Sequence, residues 1–135
     1  MKSNILTDHT LIIDELETNI KFHNWGYILP FLPKGSYLVG GYLRDIILGR
    51  VIEKVDVDIV VPLNALEIGK KISDKIKSKF IILDKEREVA RIIINHISID
   101  IANQVSSTIE GDLSARDFSI NSIAFYLIIN VCLIR

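Results

Sequence analysis

Apolar residues fall in two rhythms along this chain, one helical and one alternating. Ile13, Leu16 and Ile20 recur at helical spacing after a capping candidate at Asp8, and Gly26 is expected to end that run. Pro30, Pro33 and Gly35 predict a loop, after which Tyr37-Leu38-Val39 predicts a short strand running straight into Gly40-Gly41. Tyr42 to Leu48 reads as a helix stopped by Gly49. Val55 to Val61 alternates and is β-branched, which predicts a strand bounded by Pro62. Asn64 with Glu67 has the form of a capping box, and Ala65, Ile68, Ile72 and Ile76 make one apolar helical stripe. Lys70, Lys71, Lys75 and Lys77 back that stripe and read as a solvated face. Phe80 to Leu83, Val89 to Ile94 and Ile97 to Ala102 are expected to be successive strands, with turns at Asp84-Lys85-Glu86 and Asn95-His96. Ile120, Ile123, Ala124 and Leu127 predict a last short helix, and Ile128 to Ile134 a closing strand.

Composition narrows the possibilities. A chain of 135 residues with 49% apolar and 24% charged positions has the material for one ordinary domain with a core. Its net charge of -1 supplies no general basic field for nucleic acid, so a polyanion must be met by local chemistry or with a partner. The lone Cys132 excludes a disulfide framework within one chain and suits a reducing, cytoplasmic setting. Asp8, His9 and Asp14 interrupt any signal-peptide core. Phe118 to Ile134 contains Ser119, Asn121, Ser122 and Asn130 and falls short of a membrane span. His9, His23 and His96 lack metal-ligand spacing, and Phe22 and Trp25 are expected to pack rather than to stack on RNA.

Three short segments carry chemistry. Period two places Asp56 and Asp58 on one face of their strand with Cα atoms about 6.5 Å apart, close enough to converge on one hard cation. The same alternation isolates Asp100 opposite Ile97, Ile99 and Ile101, so neighbouring strands would bring three acids together. Such acids raise one another's pKa unless a metal neutralises them; the local alternative is a solvated sheet edge. Gly40-Gly41, between strand and helix, would let backbone N–H groups approach a phosphate, or would be only a tight connection. Arg44 is read in the first turn of the following helix, where the dipole disfavours a cation without a nearby anion. Arg116 can fork onto phosphate or ribose oxygens, while Asp117 either accepts from a sugar hydroxyl or caps a helix.

Together, Leu38-Val39-Gly40-Gly41-Tyr42-Leu43-Arg44-Asp45, Val55-Asp56-Val57-Asp58-Ile59-Val60 and Arg116-Asp117-Phe118-Ser119-Ile120-Asn121 are recognisable. Over roughly residues 37 to 126 the chain resembles the head domain of the class II tRNA nucleotidyltransferase and bacterial poly(A) polymerase family. Ala115 stands where the family usually has a first arginine, and Ser119 and Ser122 replace a typical Thr and Ala.

The resemblance implies an α/β polymerase-beta-like palm with a mixed sheet of about five strands flanked by helices. Residues 1–26 are then an N-terminal helix region, 37–126 the motif-bearing palm, and the neck, body and tail of the family are absent from the sequence. It further implies two magnesium ions on Asp56 and Asp58, with Asp100 as a further catalytic acid. Gly40, Gly41, Arg44, Arg116, Asp117 and Asn121 match nucleotide-binding positions. The implied reaction adds a nucleotide from ATP or CTP to a tRNA or other RNA 3′ end, with the RNA held by the absent domains or a second chain. Two alternatives stay open, a non-catalytic palm that binds nucleotide or a partner protein, and a minimal antitoxin-type nucleotidyltransferase, which lacks the Arg116-Asp117-Phe118 motif.

Overall fold

The computed structural model describes residues 9–105 and 124–126. Helix α1, His9–His23, is followed by a 3-10 helix over Gly26–Phe31, strand β1 over Tyr37–Val39 and helix α2 over Gly40–Ile47. Strand β2 covers Val55–Val61 and helix α3 Ala65–Ile76. Strands β3, Lys79–Asp84, β4, Val89–Ile94, and β5, Ile97–Asn103, follow, and β6 spans Ala124–Tyr126.

These strands form one six-stranded sheet in the order β3-β4-β5-β2-β1-β6. Only β2 and β5 run parallel; the other neighbours are antiparallel, so the sheet is mixed as expected. A parallel pair needs a long crossover, and α3, β3 and β4 supply it. Leu16 and Ile20 of α1, Leu43 and Ile46 of α2 and Ile72 of α3 join Val57, Ile59, Ile92, Ile99 and Ile101 in one buried cluster. The helices therefore close one face of the sheet, and alternation turns the intervening strand positions away from them.

Several local expectations are corrected. The first helix stops at His23, before Gly26, because Asn24 already takes a left-handed backbone with φ 59°. The expected loop holds a 3-10 helix with Pro30 inside it. Trp25 is buried as anticipated, but Phe22 is 84% exposed and packs on no core. Asn64 does not act as a capping side chain for α3. Its place is taken from across the fold: Asn103 Oδ1 accepts from the Ala65 N–H at 2.8 Å, and Glu88 Oε1 from the Leu66 N–H at 3.4 Å. Asn103 Nδ2 also donates to Glu88 Oε2 at 3.0 Å, which fixes the two capping groups to each other. Ala124 lies in a strand, not in a helix: Val39 pairs with Ala124 and Leu38 with Phe125. Pairing with β1 decides the conformation of this segment, since a short apolar run is ambiguous in period. Ile120, Ile123 and the proposed closing strand lie outside the described residues.

Candidate active site

The charged site is built on the sheet face that the helices leave open. On β2, Val55, Val57, Ile59 and Val61 are buried while Asp56 is exposed and Asp58 half-buried, which is the expected alternation. Val39, Val60 and Ala102 on the acid face are buried as well, so this face is polar only across the part that carries Asp56, Asp58, Ser98, Asp100 and Arg91. In register, Asp58 of β2 faces Asp100 of β5, and Asp100 faces Arg91 of β4. Arg91, Asp100 and Asp58 thus form a row across three adjacent strands, each step about 4.8 Å wide. Asp56 sits beside the row, opposite Ser98.

The expected meeting of Asp58 and Asp100 is present, and with it a residue that the sequence reading missed. Arg91 donates from Nε to Asp100 Oδ1 at 2.7 Å and from Nη2 to Asp100 Oδ2 at 3.0 Å. This two-pronged contact raises the Arg91 pKa, first through its hydrogen bond to Asp100 and the charge of that carboxylate, and at longer range through Asp56 and Asp58. Both carboxylate oxygens of Asp100 are engaged. Among the described residues, no three acidic, histidine or cysteine side chains converge as a metal-binding group. A signal for Arg91 was available: it is the one charged residue in Val89–Ile94, and antiparallel pairing puts it on the acid face.

The Gly-Gly segment meets the acids directly. Helix α2 begins at Gly40, not at Tyr42, and Val39 pairs with Asp58. Gly40 has φ +83°, and a Cβ there would lie 2.6 Å from Asp58 Oδ2. Only glycine accepts both that backbone and that approach. Because the helix starts early, the Arg44 Cα falls in its last turn, so the dipole argument turns on where its guanidinium lies. Helical side chains lean back toward the N-terminus, and the Arg44 guanidinium does so: a Cβ on Gly41 would stand 3.3 Å from its Nη2. Arg44 Nε also donates to Asp45 Oδ1 at 3.0 Å. The guanidinium therefore lies over the first turn of α2 although its Cα belongs to the last.

Tyr42 anchors this helix from behind. Trp25 Nε1 donates to the Tyr42 hydroxyl at 3.1 Å, and the same hydroxyl lies 2.8 Å from His23 Nδ1. Burial pushes the Tyr42 pKa up to about 12, against the Trp25 hydrogen bond, and burial holds His23 below its usual range. Arg116, Asp117 and Asn121 lie outside the described residues.

Two carboxylates, one exposed and one half-buried, with a glycine turn against them, make a donor set for a hard cation and an anionic ligand. Magnesium suits two carboxylates, since it keeps several waters and completes its shell with substrate phosphates.

Residues 36–132 match the poly A polymerase head domain. Over 97 residues the chain is 42% identical to a CC-adding tRNA nucleotidyltransferase of Synechocystis sp., covering 72% of this chain and 23% of that protein. A CCA-adding enzyme in complex with ATP superposes with a TM-score of 0.69 at 30% identity, over 88% of this chain and 30% of the other. The Thermotoga maritima CCA-adding enzyme complexed with tRNA gives a TM-score of 0.69 at 33% identity, over 87% of this chain and 28% of the other. The chain spans less than a third of the length of these relatives. Among the described residues no helix is long and apolar enough to cross a membrane. With its glycine turn and acid pair on one open sheet face, the chain belongs to the poly A polymerase head domain family of class II CCA-adding tRNA nucleotidyltransferases.

Proposed function

We propose that this chain is the catalytic head of a template-independent RNA nucleotidyltransferase that uses CTP or ATP. The observation that carries the reading is the fit of Asp58 Oδ2 against Gly40, which joins a triphosphate-binding turn to an acid pair. In the reaction the RNA 3′-hydroxyl oxygen bonds to the α-phosphorus, the bond from that phosphorus to the β-phosphate oxygen breaks, and pyrophosphate leaves. The hydroxyl proton passes to solvent water as that bond forms. Asp56 and Asp58 would hold magnesium, two ions in the family reading, and this metal supplies charge neutralisation and a more acidic hydroxyl.

The chain's own groups do the rest. Gly40 and Gly41 remove side chains from the first turn of α2, where backbone N–H groups and the helix dipole favour phosphate. The Arg44 guanidinium, laid back over Gly41, adds a positive charge at the same place. Arg116, Asp117 and Asn121 would complete the nucleotide contacts at phosphate and ribose. The RNA end is a partner of the whole enzyme, and the chain's net charge of -1 supplies no general basic field for it.

Calorimetric titration of the chain with ATP, CTP, GTP and UTP tests this. Binding is expected only with a divalent ion and with little difference among the bases, and Asp58→Ala should remove it. In a complete enzyme carrying this head, Asp58→Ala should also abolish incorporation of labelled CMP into tRNA. Metal-dependent nucleotide binding without any incorporation in that full-length context would instead identify a nucleotide-binding palm that does not catalyse transfer.

A further inference from the structure

The row Arg91–Asp100–Asp58 raises a question that the acid pair alone does not. An arginine stands two strands from Asp58, within electrostatic range of both Asp56 and Asp58. A guanidinium that reached them would compete with a cation for the same oxygens. It does not reach them, because Asp100 takes its Nε and Nη2 in a two-pronged contact.

We propose that Asp100 is a positioning residue that parks Arg91, so that Asp56 and Asp58 alone serve as the metal-binding carboxylates. This rests on the reading of those two residues as metal ligands.

Three observations support it. Both oxygens of Asp100 are already used, so it can ligate a cation only by giving up two charge-assisted hydrogen bonds. The pair is partly shielded, with the Asp100 side chain 22% and the Arg91 side chain 39% exposed. One strand step of about 4.8 Å separates Asp100 from Asp58, a distance that a long arginine side chain covers by changing rotamers. The expected role of Asp100 as a third catalytic acid thereby becomes an indirect one, exerted through Arg91.

Manganese binding, followed by loss of the free-ion electron paramagnetic resonance signal, separates this role from direct ligation. Asp100→Asn releases Arg91 toward Asp58 and should weaken Mn2+ binding by about tenfold or more. Arg91→Gln should strengthen it by a similar factor, since it removes a competing charge and frees Asp100. The double variant Arg91→Gln with Asp100→Asn is decisive. It replaces an ion pair by a neutral amide pair of similar shape, and its affinity should return to within about threefold of the unsubstituted chain. A double variant that binds Mn2+ as weakly as Asp100→Asn would show Asp100 to be a ligand and overturn the proposal. So would Arg91→Gln with unchanged affinity and an unchanged thermal melt. Asp58→Asn separates the two levels of the argument. If it leaves Mn2+ binding untouched, the underlying ligand reading fails together with the proposal; if it abolishes binding while the double variant is not rescued, only the parking role fails.

Discussion

The two faces of β2 and β5 share one backbone and behave as different materials. On one face Val57, Ile59, Ile99 and Ile101 are at most 1% exposed, wedged against the helices. On the other, Asp56, Asp58 and Asp100 sit partly or wholly in solvent and are organised by charge. Identity on the closed face is loosely specified, because any well-fitting apolar residue serves. Identity on the open face is strict: Gly40 is required by Asp58, and Asp100 is engaged by Arg91. Stability and chemistry are thus divided between odd and even positions of the same strands.

Substitutions can break that division, and the largest effect belongs on the closed face. Ile99→Asp places an unpaired charge at a fully buried position and is expected to prevent folding, seen as loss of the cooperative urea transition. On the open face, Asp56→Ala should shift the urea midpoint by no more than about 0.5 kcal/mol equivalent while eliminating divalent-ion binding. If both destabilise alike, the faces are not divided as described.

Gly40→Ala bridges the two faces. Its strained φ and the contact with Asp58 should cost roughly 1–3 kcal/mol in urea unfolding. Metal affinity should fall as well, because the Asp58 carboxylate must move. Smaller is Asn103→Ala, which removes the cap on α3 and should cost about 0.5–2 kcal/mol with metal binding unaffected.

The smallest expected effect is a pH dependence at the rear of α2. His23 has its pKa lowered by burial, so the unfolded chain binds a proton more readily than the folded one. Its contribution to stability is complete above the ordinary value of 6.5 and is lost as pH falls below it toward the lowered folded pKa. His23→Phe should flatten that part of the melting-temperature profile between pH 7 and pH 5, whereas metal binding above pH 7 should not change.

How much of this could be read from the sequence depended on whether partners were local. The alternation in Val55–Val61 and Val89–Ile94 encodes strand, face and burial within the segment itself, and both ranges agree with the structure. The capping of α3 was misread because its donors' partners, Glu88 in the turn before β4 and Asn103 at the end of β5, arrive from much later in the chain. Ala124 was misassigned for the same reason, since β1 imposes its conformation. That Asp56 and Asp58 share one face of β2, away from the core, was legible from spacing alone. The engagement of Asp100 by Arg91 was not, because it requires the β4–β5 register, which a hairpin turn at Asn95-His96 fixes without advertising the pairing of side chains. Arg44 shows a middle case: its helix was found, but the start is two residues earlier, which moves its Cα to the last turn while its guanidinium lies over the first.

The parallel contact between β2 and β5 also sets an order of assembly. Strands β3, β4 and β5 are joined by short turns and pair as a meander, which costs little loop entropy to close. Asp100 can therefore find Arg91 early, within a single hairpin. Asp58 joins them only when β2 docks from the far side of α3, a contact of much longer range. During refolding, amides of β4 should gain protection from hydrogen exchange ahead of those of β2. If that order holds, the arginine is already engaged by Asp100 when the acid pair docks beside it, so chain closure as well as equilibrium geometry keeps Arg91 off β2.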